Sequence, residues 1–430
     1  METVSYAQFS RELHQRLLEE RIPLEATFEV SRRCPLACRH CYNNLPMNDR
    51  AARRRELSLD EYRRIFDEIA AAGTLWVLFT GGEILARADF LDIYTEAKRR
   101  GFLITLFTNG TLVTPRIADY LAEWRPFAIE ITLYGHTRET YERLTRIPGS
   151  YERCHCGIRL LLERNLPLKL KTVGTTITKD EIFAMRDWAE SLGVPFKFDS
   201  LLNPRVDCSQ SPLEVRLTPE EVVELDLRDP RRLPAWRELN DRYRTAAMAP
   251  YVTNTVYDCG GGVGSFAVNP YGEMSICVLS QVDTYDLRQG SFRDGWERFL
   301  RQARLQQRTR PVKCQTCEIR SMCGSCAAVN ELENGDKETP IDFACRVNHL
   351  RAYLLDIPLK PNPLCEYRPG SELYDDIQAS AAALRERARA LGVALPRQSR
   401  RSLPVFPSSP AASAVASEKA QASFGVTAYE

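Results

Sequence analysis

Between Leu24 and about Leu202, short apolar β-rich runs alternate six times with segments of helical periodicity. No other feature limits the fold as tightly. Successive strand–helix units force a parallel sheet with right-handed crossovers and helices packed on it. The expected strands are Leu24–Val30, Leu75–Thr80, Leu103–Thr108, Phe127–Leu133, Leu168–Gly174 and Phe196–Ser200. The expected helices are Ser58–Ala72, Asp89–Arg100, Pro115–Glu123, Ser150–Arg164 and Asp180–Leu192. Ser58 and Glu61 form a capping-box pattern at the first of these, and Gly73, Gly101 and Gly193 stand where helix C-terminal glycines belong. Six units are too few for the eight-unit barrel, so the fold class is α/β with an open or partial (β/α)6 barrel. Ligands of such sheets bind at the carboxyl ends of the strands. The chemically suggestive groups fall there: Cys34–Cys41 after strand one, Gly81-Gly82-Glu83 after strand two, Asn109-Gly110 after strand three and Tyr134-Gly135 after strand four.

The remaining chain reads in blocks. Residues 1–23 form an N-terminal segment, 24–202 the barrel core and 203–254 a charged helical connector. Residues 255–366 form a cysteine-rich domain with little regular periodicity, as expected of a region folded around metal. Residues 367–397 hold an exposed Ala- and Arg-rich helix, and 398–430 a Ser/Ala/Pro-rich tail expected to be disordered. The formal net charge of +1 excludes the basic excess of a dedicated nucleic-acid binder. No apolar run reaches the roughly 18 residues of a membrane span, and Met1–Gln15 has no secretory apolar segment. A cytoplasmic protein is expected, without nucleic-acid or membrane partners. In that compartment the 14 cysteines point to metal or to chemistry rather than to disulfides.

Cys34, Cys38 and Cys41 put three thiolates in one loop behind the first strand. A structural zinc site is closed by four ligands. A [4Fe–4S] cluster on three cysteines leaves one iron open for a substrate or cosubstrate. His40 is the only nearby candidate to complete a zinc site, and its place beside Cys41 is awkward for the same tetrahedron.

This Cx3Cx2C loop, followed by Tyr42, resembles the signature of the radical S-adenosylmethionine (SAM) superfamily, whose fold is the partial (β/α)6 barrel expected above. The resemblance covers Leu24 to about Leu202. It implies that the open iron chelates the amino and carboxylate groups of SAM. Reductive cleavage then gives methionine and a 5′-deoxyadenosyl radical, which makes Cys34, Cys38 and Cys41 the catalytic and metal residues. Gly81, Gly82 and Glu83 resemble the family's GGE motif, which binds the methionine ammonium; Ile84 replaces the usual proline. Tyr42, Thr108, Asn109, Glu130 and Arg146 are further cofactor-binding candidates by position, with Thr132 beside Glu130. For Glu130 the alternative is a charge paired inside the barrel, and for Arg146 a solvated surface residue.

A second cysteine set comprises Cys259, Cys277, Cys314, Cys317, Cys323, Cys326 and Cys345. It resembles the SPASM extension found behind some radical SAM cores, with the pair Cys323–Cys326 one residue shorter than usual. The resemblance implies two auxiliary iron–sulfur clusters of the [4Fe–4S] type. The distal one would be held by Cys314, Cys317, Cys323 and Cys345, the proximal one by Cys259, Cys277 and Cys326. The extra thiolate of fully ligated relatives is missing from Tyr251–Asp258, so Asp258, another group or an open iron takes that place. Alone, the Cx2C pairs of Cys314–Cys326 would also suit a zinc ribbon.

Cys154, Cys156, Cys208 and Cys365 read as buried structural thiols, although Cys208 or Cys365 could reach an open proximal cluster. Asp199, Arg205 and Asp207 surround the end of strand six and either bind a peptide backbone or pair with each other. The expected function is hydrogen abstraction from a peptide or protein: ribosomal peptide maturation by crosslinking, thioether formation or epimerisation. Expected partners are a low-potential donor such as a flavodoxin or ferredoxin and, with only 33 residues before Cys34, a separate leader-peptide-binding protein. The enzymatic alternatives are sulfatase maturation, against which Val278 stands where relatives place an aspartate, and tetrapyrrole modification. The non-enzymatic alternative is a zinc-binding interaction protein.

Overall fold

The computed structural model describes residues 16, 19–247 and 254–395, so the expected tail 398–430 and most of 1–23 lie outside the described residues. The chain divides into two compact units, Met1–Arg216 with Gly260–Gln306, and Leu217–Cys259 with Gln307–Glu430.

The first unit is built on the six expected parallel strands, in sequence order: β1 Glu25–Ser31, β2 Trp76–Gly81, β3 Leu103–Thr108, β4 Ala128–Thr132, β5 Leu168–Val173 and β6 Phe196–Asp199. They form the sheet of a partial radical-SAM-type barrel. Alternate residues point to opposite sheet faces. On one face Phe28 of β1 meets Phe66 of the helix Leu59–Ala71 at 5.4 Å, and Phe79 of β2 meets Phe90 of the helix Phe90–Arg99 at 5.7 Å. These rings are almost wholly buried and form the core between sheet and helices. The first helix is fixed at its start by the reciprocal Ser58–Glu61 capping box. The other face carries Glu29, Phe107, Glu130, Lys171 and Lys197, leaving a polar interior. This interior opens at the strand ends, where the first cysteine loop begins.

The sheet is wider than the sequence suggests. Segment 260–306, read above as part of the cysteine-rich extension, belongs to this unit. Its strand β7 Ser265–Val268 pairs parallel with β1, Glu25 opposite Ser265. An antiparallel pair, β8 Glu273–Ser275 and β9 Tyr285–Asp286, extends that edge. The result is a nine-stranded sheet. Helices Arg50–Arg55 and Arg138–Thr145 are further additions.

The second unit is helical: Pro219–Arg228, Arg232–Ala247, Ala327–Asn334, Asp342–Leu354 and Tyr374–Ala390. Asp342–Leu354 is buried on nearly every side and packs on Pro219–Arg228 and Tyr374–Ala390. Buried Asp226 fixes this packing by accepting from Arg232 at 2.6 Å and Arg351 at 2.8 Å. Tyr374–Ala390 is not the fully exposed helix expected, because Ile377, Ala381, Leu384 and Ala388 bury one face.

Candidate active site

The loop after β1 brings Cys34, Cys38 and Cys41 together, and three sets of contacts hold it. Ala37 and Arg39 donate backbone N–H groups to the carbonyls of Thr145 and Leu144, each at 3.0 Å. Arg205 donates to the Cys41 carbonyl at 3.2 Å, to Asn44 Oδ1 at 2.9 Å and to the Asn44 carbonyl at 2.9 Å. Beneath the loop the buried carboxylate of Glu29 accepts from Asn43 Nδ2 at 2.5 Å and from the Tyr42 hydroxyl at 3.3 Å. Glu29 and the clamping role of Arg205 were not read from the sequence. A single acid inside the strand and one arginine among many give no periodic signal. Asp199 caps its own turn, accepting from Leu201 N at 3.0 Å, and Asp207 lies 3.6 Å from Arg205, so the expected pairing joins Arg205 and Asp207 and leaves out Asp199.

Burial raises the pKa of all three thiols above the ordinary range. Glu83 adds to the rise at Cys34, and the neighbouring thiols add to it at Cys34 and Cys38. Three sulfurs, one buried and two partly so, that repel one another's charge are a poor resting state for thiolates and a good donor set for cationic iron. The residues therefore fit a three-cysteine cluster. His40 packs on an aromatic ring. Its ring lies 5.5 Å from Tyr134, and burial holds its pKa down to about 4, which keeps it neutral.

The Gly81-Gly82-Glu83 turn explains itself sterically. A Cβ on Gly82 would stand 2.4 Å from the Arg32 carbonyl oxygen, and one on Gly81 2.2 Å from that of Ser31. Without side chains, Gly82 N donates to Ser31 O at 2.7 Å and Glu83 N to Arg33 O at 3.0 Å. The turn is thereby stitched to the strand that launches the cysteine loop. The Glu83 side chain accepts from Thr108 Oγ1 at 2.7 Å, Asn109 N at 2.8 Å and Leu85 N at 3.1 Å. Asn109 Nδ2 reaches Cys34 Sγ at 3.4 Å. Glu83, Thr108, Asn109 and Cys34 thus form one connected group at the strand ends.

Glu130 lies deeper, on β4, with Lys171 Nζ at 3.2 Å and Lys197 Nζ at 3.0 Å. Burial alone would raise its pKa, but the two lysines outweigh that and hold the carboxyl below its usual range. The paired-charge alternative describes Glu130 in this structure. Arg146 is exposed and ends its helix in the left-handed conformation, φ 61°, directly after the loop's anchor Thr145. Cys156 and Cys208 are exposed, which corrects the expectation of buried thiols, whereas Cys154 and Cys365 are buried.

In the second unit, Cys314, Cys317, Cys323 and Cys345 line one cavity. Cys326 and Asp258 line a neighbouring one, which Cys314, Cys317 and Cys323 also face. The Asp258 carboxylate is paired with Arg320 and lies 3.9 Å from Arg308. As a replacement ligand it would compete with two guanidinium groups. Cys277 belongs to the first unit.

A partial barrel with three thiols at the mouth of its first strand and a Gly-Gly-Glu turn at its second defines a radical SAM enzyme. Residues 28–189 match the radical SAM superfamily, and relatives of that kind match most of the chain. The AdoMet-dependent heme synthase of Methanosarcina barkeri (strain Fusaro / DSM 804) is 26% identical over 367 residues, 81% of this chain and 98% of that protein. The PqqA peptide cyclase of Ruegeria pomeroyi (strain ATCC 700808 / DSM 15171 / DSS-3) is 31% identical over 171 residues, 40% of this chain and 45% of that protein. Among solved structures, native anSMEcpe with bound AdoMet superposes with a TM-score of 0.56 at 14% identity, over 84% of this chain and 100% of that one. Streptococcus suis SuiB bound to S-adenosylmethionine gives 0.56 at 14%, over 80% and 82%. Among the described residues no helix is long and apolar enough to cross a membrane.

Proposed function

We propose that the protein is a radical SAM enzyme with auxiliary clusters that modifies a tetrapyrrole. The observation that carries this reading is the extent of the heme synthase match. It spans 98% of the relative and 81% of this chain, well past the barrel. Peptide cyclase matches support the peptide expectation over less of the chain, 40% of it at 31% identity and 69% of it at 25%. The barrel interior suits the proposal. Lys171 and Lys197 present two cations on the sheet face that a substrate would meet, and tetrapyrroles carry carboxylate side chains. A substrate carboxylate would compete with Glu130 for these ammonium groups.

Cys34, Cys38 and Cys41 would hold a [4Fe–4S] cluster, which when loaded supplies the electron that cleaves SAM to a 5′-deoxyadenosyl radical. The protein's own residues do the positioning. Glu29 and Arg205 fix the loop. Asn109 donates toward Cys34 and holds that thiolate in place. Glu83 ties the ends of β2 and β3 and offers remaining lone pairs to the SAM ammonium, while Tyr42 and Arg146 border the loop. Cys314, Cys317, Cys323 and Cys345 would hold an auxiliary cluster in the second unit. A flavodoxin or ferredoxin would supply electrons.

The test is incubation of anaerobically loaded protein with reductant, SAM and a carboxylate-bearing iron tetrapyrrole. The reading expects 5′-deoxyadenosine formation to rise several-fold on adding the tetrapyrrole, together with a new tetrapyrrole mass. A rise with a peptide, and none with the tetrapyrrole, would replace it by the peptide reading.

A further inference from the structure

The second unit places five thiols, not four, on the wall of a single cavity. Cys314, Cys317, Cys323 and Cys345 are joined there by Cys365. A cubane cluster has four iron corners, each taking about one protein ligand, so one sulfur is surplus. Cys345 lies on the buried helix Asp342–Leu354, with His349 four residues on and so on the same helix face. Cys365 enters from the turn beyond that helix, held by its own N–H to the Asn362 carbonyl at 3.0 Å. The imidazole of His349 stands between the two sulfurs. Nδ1 is 3.7 Å from Cys345 Sγ and Nε2 is 3.5 Å from Cys365 Sγ. One ligand atom from each of the three side chains falls within 4.8 Å of the others.

The tautomer of His349 follows from its third contact. Nδ1 lies 2.8 Å from the Cys345 carbonyl oxygen, which only accepts, so Nδ1 carries the hydrogen. In the neutral imidazole Nε2 is then the lone pair facing Cys365, placed to accept from its S–H while that thiol is unligated. Such an outer partner orients a metal ligand. The wall also supplies countercharge, since Arg368 Nη2 is 3.7 Å from Cys317 Sγ and Lys313 lines the same cavity.

Resting on the auxiliary-cluster reading above, we propose that Cys345 and Cys365 share the fourth corner of the distal cluster, either one serving as its ligand. Exchange between them breaks one iron–sulfur bond and forms another. The proton of the entering Cys365 thiol passes to the departing Cys345 sulfur, and no electron is gained or lost. His349 accepts from Cys365 while that sulfur is the one off iron. The packing-only reading of Cys365 does not explain why its sulfur lines this cavity beside four others with a histidine lone pair directed at it.

The experiment compares wild type, Cys345→Ala, Cys365→Ala and the double variant as full chains. Each is loaded anaerobically, assayed for iron and sulfide, and examined by electron paramagnetic resonance after reduction. Each single variant should keep the wild-type iron content, and the double variant, whose fourth iron has no thiolate, should lose at least about one iron per chain. The reduced distal signal should shift in Cys345→Ala. Iron loss from either single variant alone, or wild-type iron content in the double, overturns the proposal. An anaerobic crystal structure of loaded wild type needs no variant and serves if these fail to fold. Cys365 Sγ bonded to iron, alone or at partial occupancy with Cys345, is the expected result, and Cys365 remote from iron in both redox states overturns it. A wild-type chain with only about four irons in total would instead defeat the auxiliary-cluster reading itself, a result the wild-type assay gives without the variants.

Discussion

Glu83 carries three hydrogen bonds on a carboxylate that burial pushes toward its protonated form. Replacing it with alanine leaves the Thr108 hydroxyl and the Asn109 and Leu85 N–H groups without their acceptor. Glu83→Ala should therefore lose about 3 kcal/mol of unfolding free energy, read from the denaturant midpoint of the cluster-free protein. Gly82→Ala should cost about 1–3 kcal/mol in the same assay, because its Cβ would meet the Arg32 carbonyl at 2.4 Å and backbone must move. Lys171 gives a pH prediction. Burial, only partly offset by Glu130, holds its pKa down to about 8 against the ordinary 10.5. Between those values the unfolded chain binds the proton that the fold has released. Lys171 therefore destabilises the fold in full below about pH 8, and its contribution becomes more favourable as pH rises toward about 10.5. Wild type should gain about 1–3 kcal/mol relative to Lys171→Met across that window, measured by chemical denaturation at several pH values.

The cysteine loop depends on what clamps it. Arg205 makes three hydrogen bonds to Cys41 and Asn44 from a planar fork, a geometry that a lysine ammonium does not reproduce. Arg205→Ala should release iron from this cluster to a chelator about tenfold faster, with Arg205→Lys failing to restore the wild-type rate. The six strands and their helices were legible to within a residue or two because most bury one face and so carry a period, and the rest are short apolar runs between turns. Ser58–Glu61 and the helix-ending glycines marked the boundaries. Asp342–Leu354 was not legible, because burial on nearly all sides removes the period that marks an amphipathic helix. Strand β7 was missed because its pairing with β1 joins Glu25 to Ser265, a contact that no local pattern records. The cysteine spacings announced the thiol sets, yet the companion groups Glu29, Arg205 and His349 are single polar residues with no spacing to reveal them.

At the scale of the molecule, one chain holds a barrel with a three-thiol loop and a helical unit with a five-thiol cavity. The first arrangement fits a cluster with an open iron, and the second fits a closed one with a ligand to spare. Fully loaded protein should contain about twelve irons, four for each cubane, by metal and sulfide analysis after anaerobic purification. Zinc without sulfide would instead support an interaction protein. The central claim is that Cys34, Cys38 and Cys41 hold the iron that cleaves SAM. The most direct measurement is 5′-deoxyadenosine released by anaerobically loaded protein given SAM and a strong reductant, wild type against Cys38→Ala. Wild type is predicted to release it and Cys38→Ala to fall to background. Release that survives in Cys38→Ala, or none from fully loaded wild type, would contradict the account.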